Sequence, residues 1–266
     1  MDLAPVLKWP GAKWRIADRI IREFPAHEVY VEPFFGSGAV FFRKAPSGIE
    51  TINDIDGEVV NLFRVIRDTP QELCAMVEMT PFSRDEYEQT YDADEDNPLH
   101  RARNFLVRTW QAYGGRTRSH PPWAVDRTSK VYRLRYWNML PERIAATVER
   151  LKMAQLEHMD AKELIPQYNN PNTLLYVDPP YLKKARQSGR LFYEFEMHQQ
   201  NTHLELLKLC LKHRGSCIIS SYPNELYDSV LEGWEKQSFQ VATNNAGSVT
   251  EAIYINPFAC REISLF

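Results

Sequence analysis

The sequence predicts an α/β fold: a doubly wound sheet whose two halves are separated by a mostly helical insert. Three observations predict it. Short apolar runs alternate with stretches of helical period, a glycine-rich turn follows the first run, and the alternation stops near residue 70 and resumes near residue 152. The order strand, glycine turn, helix, strand, helix opens a doubly wound unit.

Val29 to Val31 reads as the first strand and runs into Glu32-Pro33-Phe34-Phe35-Gly36-Ser37-Gly38, with a helix expected over 37–44. Ile49 to Asp54 reads as the second strand. Val59, Leu62, Phe63 and Ile66 fall at helical spacing within Gly57 to Asp68. Residues 70–113 read as helical, broken by the acidic turn Asp92-Ala93-Asp94-Glu95-Asp96. Residues 114–137 lose any period and read as loop; Leu140, Ile144, Val148 and Leu151 restore a helical face. Thr173 to Val177 is a short apolar run suited to a buried strand and ends at Asp178. Leu204, Leu207 and Leu211 mark a helix. Ser216–Ser220, Ala252–Ile255 and Glu262–Phe266 read as late strands. The expected domains are therefore a cofactor-binding α/β unit of residues 1–69 and 152–266, and an insert of residues 70–151.

The composition is that of a globular chain, with 44% hydrophobic and 25% charged residues over 266 positions. No apolar run approaches the ~20 residues that span a bilayer. The opening MDLAPVLKWPGAK lacks the pattern of a signal peptide, so a cytoplasmic protein is expected, with no membrane partner. Cys74, Cys210, Cys217 and Cys260 are scattered and form no CxxC pair, which argues for reduced thiols and against a metal site. Net charge is −3, but residues 101–152 hold twelve Lys/Arg and three Asp/Glu, a local +9. A concentrated basic patch is the footprint that matters for phosphate binding.

The chemistry is sought first in Asp178-Pro179-Pro180-Tyr181. Ligands of open α/β sheets sit at the carboxyl ends of strands. Two prolines fix φ and remove two N–H donors. The aspartate carboxylate and the first proline carbonyl then make rigid acceptors for the two hydrogens of an exocyclic amino group. Tyr181 offers a flat face to a base, which must be flipped out of a duplex to reach it. Alone, the tetrapeptide reads equally as a Pro-Pro turn with a capping aspartate. Gly36 and Gly38 let backbone approach a ligand closely, and Asp54, 18 residues after Gly36, stands where an acid binds a ribose diol. No GxxxxGK[ST] loop is present, which favours a nucleoside cofactor without phosphates. Lys8-Trp9-Pro10-Gly11-Ala12-Lys13 precedes these; Trp9 suits covering a cofactor, although a surface turn would read the same way.

The succession Lys-Trp-x-Gly-x-Lys, Glu-Pro-Phe-x-Gly-x-Gly, Asn-Asp-Ile-Asp, basic insert, Asp-Pro-Pro-Tyr resembles the Dam-type (D12 class) DNA adenine-N6 methyltransferases, from about Leu7 to Pro257. Ser220 to Tyr227 and Glu251 to Pro257 resemble the phage and prophage branch. The resemblance implies a Rossmann-like fold, S-adenosyl-L-methionine as cofactor, double-stranded DNA as substrate, no metal, and a possible cognate restriction enzyme. It implies that Trp9, Lys13, Phe34, Gly36, Gly38, Asp54 and Asp178 bind the cofactor, with Lys13 toward the methionine carboxylate. Asp178, Pro179 and Tyr181 form the catalytic base pocket. His158 and Asp160 are further candidates at the end of Gln155–Asp160.

Lys8, Tyr113, Arg116, Arg118, Arg133 and Arg135 are the expected DNA-binding residues, among the aromatics Trp123, Tyr132, Tyr136 and Trp137. Lys183, Lys184, Arg186 and Arg190 follow the tetrapeptide in a loop suited to closing over DNA. Relatives that modify GATC carry Tyr-Asn-Gly-x-x-Arg where this chain has Tyr113-Gly114-Gly115-Arg116-Thr117-Arg118, so the resemblance does not extend to that site. An RNA adenine or an N4-cytosine methyltransferase is the nearest rival. Cytosine enzymes more often resemble Ser-Pro-Pro-Tyr, so Asp178 favours adenine. A DNA-binding regulator without catalysis is disfavoured by the intact Asp178, Tyr181, Asp54, Gly36 and Gly38. Charge reversal at both Arg116 and Arg118 is expected to weaken DNA binding and flatten its salt dependence; unchanged binding across a salt series would refute their placement.

Overall fold

The computed structural model describes residues 3–92, 96–113, 120–125, 133–182, 195, 197, 199–242 and 247–260. Helix α1 (Ala17–Ile21) leads to β1 (Val29–Glu32), α2 (Ala39–Arg43), β2 (Ile49–Asn53) and α3 (Gly57–Asp68). A helical stretch follows: α4 (Pro70–Met79), α5 (Arg84–Asp92), α6 (Pro98–Gln111), α7 (Arg133–Asn138) and α8 (Leu140–Lys152). Next come β3 (Gln155–Glu157), α9 (Ala161–Gln167), β4 (Thr173–Val177), α10 (Gln200–Lys212), β5 (Ser216–Ser221) and α11 (Glu225–Val230). The hairpin β6 (Glu235–Ala242) and β7 (Ser248–Ile255) precedes α12 (Pro257–Cys260). Among the described residues, no helix is long and apolar enough to cross a membrane.

Seven strands form one sheet in the order β3-β2-β1-β4-β5-β7-β6. β3, β2, β1, β4 and β5 run parallel, and β7 is antiparallel to both neighbours. The chain winds outward from β1 through β2 to β3, then returns to place β4 on the other side of β1. The order therefore reverses between β1 and β4, which is where a doubly wound sheet opens a crevice.

Strand alternation builds the two faces. Tyr30, Leu174, Tyr176, Ile218, Ile253 and Ile255 face one core, with α2, α3 and the helical stretch. Val31, Leu175, Val177, Cys217, Ile219, Ala252 and Tyr254 face the other, under α9, α10 and α11. The helical stretch shares the first core: Leu73, Leu106, Trp110 and Ile144 belong to the same apolar cluster as Phe41, Phe63 and Ile66.

Two sequence expectations need correction, and one strand went unread. The helix expected over 37–44 is shorter, because Gly38 sits at its start with φ +66. Within the segment read as loop, residues 133–138 form α7. It is pinned by one residue, buried Trp137, whose indole donates to Thr80 O at 2.9 Å. The helix marked by Leu204, Leu207 and Leu211 is α10; its buried face is His203, Leu206, Leu207 and Cys210, and Leu211 is exposed. His203 is tolerated inside because Tyr227 hydroxyl meets its Nδ1 at 2.8 Å. β6 gave no sequence signal: it is an edge strand whose one buried residue is Phe239, so its polar composition masks it. The late strand expected at 262–266 lies outside the described residues.

The end of the helical stretch is fastened to the sheet by a buried charge cluster. Glu50 of β2 accepts from Lys44 Nζ at 2.5 Å and from Arg150 Nη2 of α8 at 2.7 Å; Arg150 Nη1 bonds its other oxygen. Burial opposes the Glu50 charge, yet Arg150 and Lys44 hold its pKa below the usual carboxylate value. Breaking a buried ion pair leaves uncompensated charge and costs about 3–5 kcal/mol. Glu50→Ala is expected to lower stability by that amount in equilibrium urea unfolding. The triple replacement Glu50→Leu, Lys44→Met, Arg150→Met should recover most of it; a Glu50→Ala loss under about 1 kcal/mol would contradict the analysis.

Candidate active site

The crevice between β1 and β4 deepens into a cavity of about 870 Å³, lined by residues from all four sequence motifs. That volume lies within the ~300–1,000 Å³ typical of small-molecule sites. Asp178, Pro179, Pro180 and Tyr181 enter from the end of β4. Trp9 and Lys13 come from the segment before α1. Phe34, Gly36 and Ser37 come from the turn after β1, and Asp54 from the end of β2.

Asn53, fully buried at the end of β2, ties the loops around the cavity together. Its amide donates to Pro33 O at 2.9 Å and to Met159 O at 3.1 Å, and its Oδ1 accepts from Met159 N at 3.0 Å. Its own carbonyl accepts from Phe35 N at 2.9 Å. One side chain thus fixes the turns after β1 and β3. Gly36 has φ +51, and a Cβ there would lie 2.8 Å from the Trp9 indole, so the ring rests directly on the glycine backbone. Gly38 is set back from the cavity. A Cβ there would strike Phe35 at 2.4 Å and Phe42 at 2.7 Å, so its role in the geometry is to let the chain turn into α2.

The Asp54 carboxylate accepts from Gly36 N at 2.8 Å and from Asp56 N at 2.9 Å. Burial pushes its pKa up to about 7 against these bonds. Each oxygen keeps a further lone pair for a hydroxyl donor. Asp160 also lines the cavity and caps α9, accepting from Lys162 N at 2.8 Å. His158 does not line it; its Nε2 meets Ile55 O at 3.2 Å.

Lys13 is 5% exposed, and its ammonium lies 2.9 Å from Asp178 Oδ2 and 2.7 Å from Gly11 O. It also stands 4.8 Å from the Tyr181 ring centroid. The ammonium expected near a cofactor carboxylate is thus engaged with the aspartate of the tetrapeptide. Burial raises the Asp178 pKa, and Lys13 offsets this only in part. Burial works against the Lys13 charge, but Asp178 and Glu251 outweigh it and its pKa stays above the usual lysine value.

Three neighbours of this pair escaped the sequence reading. Glu32, 2% exposed, accepts from Tyr30 hydroxyl at 2.8 Å, and burial pushes its pKa up to about 8. Tyr222 packs edge-on against Tyr181, centroids 4.5 Å apart. Glu251 accepts from the Tyr181 hydroxyl at 2.8 Å. Glu32 and Glu251 each stood inside a quoted motif, so a signal existed, but no spacing rule pointed to either role. The cavity walls therefore carry an excess of carboxylates over lysines. Such walls favour a cationic ligand, and they fit the sulfonium and ammonium of S-adenosyl-L-methionine.

Of the expected DNA-contacting residues, Lys8 Nζ donates to Ala112 O at 3.4 Å, beside exposed Tyr113. Arg133 and Arg135 lie on α7, whose Tyr136 stands 6.5 Å from Trp110 of α6. Arg116, Arg118, Arg127, Lys130, Tyr132, Lys183, Lys184, Arg186 and Arg190 lie outside the described residues.

Residues 9–243 match the family model of the D12 class N6 adenine-specific DNA methyltransferases. The type II methyltransferase M1.LlaDCHI of Lactococcus lactis subsp. cremoris is 22% identical over 96% of both chains. A DNA adenine methylase of Haemophilus influenzae is 25% identical over 86% of this chain and 83% of its own. The DNA N-6-adenine-methyltransferase of Escherichia phage P1 is 23% identical over 84% of this chain and 31% of its own. With the family match covering most of the sequence and all four motifs meeting in one cavity, the chain belongs to the D12 class of N6 adenine-specific DNA methyltransferases.

Proposed function

We propose that the cavity between β1 and β4 is where this enzyme methylates the N6 amino group of adenine in DNA, with Asp178 as the residue on which transfer depends. The observation that carries this reading is the position of Asp178: it ends β4 at the switch point of the sheet, in one cavity with Trp9, Gly36 and Asp54. S-adenosyl-L-methionine, when bound, supplies a methyl group already activated as a sulfonium. Trp9, Phe34 and Gly36 would hold it from one side, and Asp54 would accept from its ribose. Gly38 supports this wall from behind.

The chain's own part in the reaction is positioning and polarisation. The Asp178 carboxylate accepts from the adenine amino group and draws nitrogen density toward the methyl donor. Pro179 lies beside it with no N–H to compete. Tyr181 supplies the stacking face. The Lys13 ammonium now occupies Asp178 Oδ2. An amino group arriving at the carboxylate uses the remaining acceptor positions or displaces it.

The DNA surface in this reading comprises Lys8, Tyr113, Arg133 and Arg135, with Arg116 and Arg118 from the adjoining segment. Residues 70–151 form the recognition insert upon a catalytic unit of residues 1–69 and 152–266. A type II name among the relatives supports a cognate restriction enzyme as partner. A DNA substrate and relatives from bacteria and a phage support a bacterial or phage-infected cytoplasm as its location.

Asp178→Ala is expected to cut transfer of tritiated methyl groups to DNA by about a hundredfold to a thousandfold, as loss of a preorganised polar group does. Transfer at the parent rate would overturn the reading. The ionised carboxylate is the active acceptor, and the Asp178 pKa is raised. The rate at saturating substrates should therefore fall as pH drops, starting at a higher pH than an exposed aspartate would give. A flat kcat profile down to pH ~4, the ordinary aspartate range, would contradict this assignment.

A further inference from the structure

The base-pocket reading uses the ring of Tyr181 and leaves its hydroxyl without a task. A buried phenol requires a partner for that hydroxyl. Here the partner is Glu251 Oε2 at 2.8 Å, supplied by β7, 70 positions along the chain. Glu251 is 7% exposed. It shares one face of β7 with Ile253 and Ile255, both in the core, so the acid breaks an apolar row just where the strand reaches the cavity. Its cross-strand neighbour on β6 is the buried Phe239, which offers no hydrogen bond.

A buried carboxylate is costly unless it is paired. Both interactions that favour the Glu251 charge come from the site: the charge of Lys13 and the Tyr181 hydroxyl. The Tyr181 ring is held on other sides as well, by the edge-on Tyr222 ring at 4.5 Å and by the Lys13 ammonium at 4.8 Å from its centroid. Glu251 accepts from the Tyr181 hydroxyl, the same side chain that hydrogen-bonds Asp178. We propose, building on the base-pocket reading, that Glu251 is a positioning residue for methyl transfer: through the Tyr181 hydroxyl it fixes the ring on which the target adenine stacks.

The test is single-turnover transfer of labelled methyl groups from S-adenosyl-L-methionine to unmethylated genomic DNA, using the full chain. The variants are Glu251→Ala, Glu251→Gln, Tyr181→Phe, the Glu251→Ala/Tyr181→Phe double and Asp178→Ala. Losing a hydrogen bond to a charged group should slow Glu251→Ala about tenfold to a hundredfold at saturating DNA. The KM for DNA should change less than the rate. Tyr181→Phe should slow transfer at least as much, since it also removes the bond to Asp178, and the double variant should fall no further than Tyr181→Phe, because the Glu251 bond is already gone there. Glutamine keeps an acceptor oxygen for the phenol, so Glu251→Gln should recover most of the lost rate.

Losses that multiply in the double variant, a parent rate in Glu251→Ala, or a Glu251→Gln as slow as Glu251→Ala would each overturn the proposal. If Glu251→Ala fails to fold, Tyr181→Phe and Glu251→Gln decide. A slow Tyr181→Phe beside an active Glu251→Gln supports the proposal; a silent Tyr181→Phe sinks it. Asp178→Ala separates the two levels. If it keeps the parent rate, the base-pocket reading itself falls; if it alone loses activity, only the role of Glu251 does.

Discussion

The molecule depends on one pairing, that of β1 with β4. Val29, Tyr30 and Val31 lie in parallel register with Thr173, Leu174 and Leu175, across the whole helical stretch of the chain. Parallel neighbours need a crossover connection, and here, among the described residues, the crossover holds β2, β3 and the eight helices α2 to α9. The register sets the ends of both strands level, so the glycine turn after Glu32 and the tetrapeptide after Val177 face each other. With a one-residue slip, the inward and outward side chains of β4 would exchange faces. Leu174 and Tyr176 would leave one core, Leu175 and Val177 the other, and Asp178 would turn away from Lys13.

The crevice made by that pairing gathers carboxylates that water would otherwise keep charged. Glu32 lies at a pKa of about 8 and Asp54 at about 7, each raised chiefly by burial. Lys13 is the counterweight at the centre of the group, bound to Asp178 and stabilised by Glu251. Raised folded-state pKa values mean that the native protein holds protons the unfolded chain releases. These groups therefore favour the fold at acid pH, and that contribution drains away as pH climbs from near 4 through 7 and 8. A cationic ligand among the same carboxylates would supply the missing compensation, so occupancy and stability are linked through one set of charges.

What the sequence made legible was what period and motif order encode. The strands at Val29, Ile49 and Thr173 are short apolar runs, and α3 matched its predicted bounds at Gly57 and Asp68. The meeting of Gly36, Asp54 and Asp178 followed from the doubly wound order, and Trp9 was placed with them by the family resemblance alone. What stayed hidden depends on partners remote in the chain. His203 looks polar until Tyr227 hydroxyl is opposite it. The Lys13–Asp178 contact joins the first motif to the last. Glu251 looks like a surface acid on a strand until Tyr181 is placed against it. β6 is an edge strand with no apolar stripe to announce it. Local pattern reports which face of an element is buried, but it is silent on what stands on the far side of the contact.

One such remote contact joins recognition to chemistry. The segment Pro5 to Lys13 lies between the helical stretch and the cavity. Pro5 O accepts from Arg143 of α8 at 3.0 Å, and Val6 O accepts from the Trp110 indole of α6 at 2.7 Å. Lys8 reaches Ala112 at the end of α6. The residues that follow are Trp9, resting on Gly36, and Lys13, bound to Asp178. Arg143 in turn lies 5.5 Å from the ring of Tyr136 on α7 and 5.6 Å from that of Trp110. A shift of α6 or α8 therefore acts on backbone that carries two cavity residues. The connection is held along its length, because the two carbonyls before Leu7 are bonded, Leu7 itself is fully buried and the Lys8 side chain after it bonds Ala112 O. Packed interiors transmit strain because they are dense. The physical connection from α6 and α8 to the cavity thus runs through the few residues that precede Trp9.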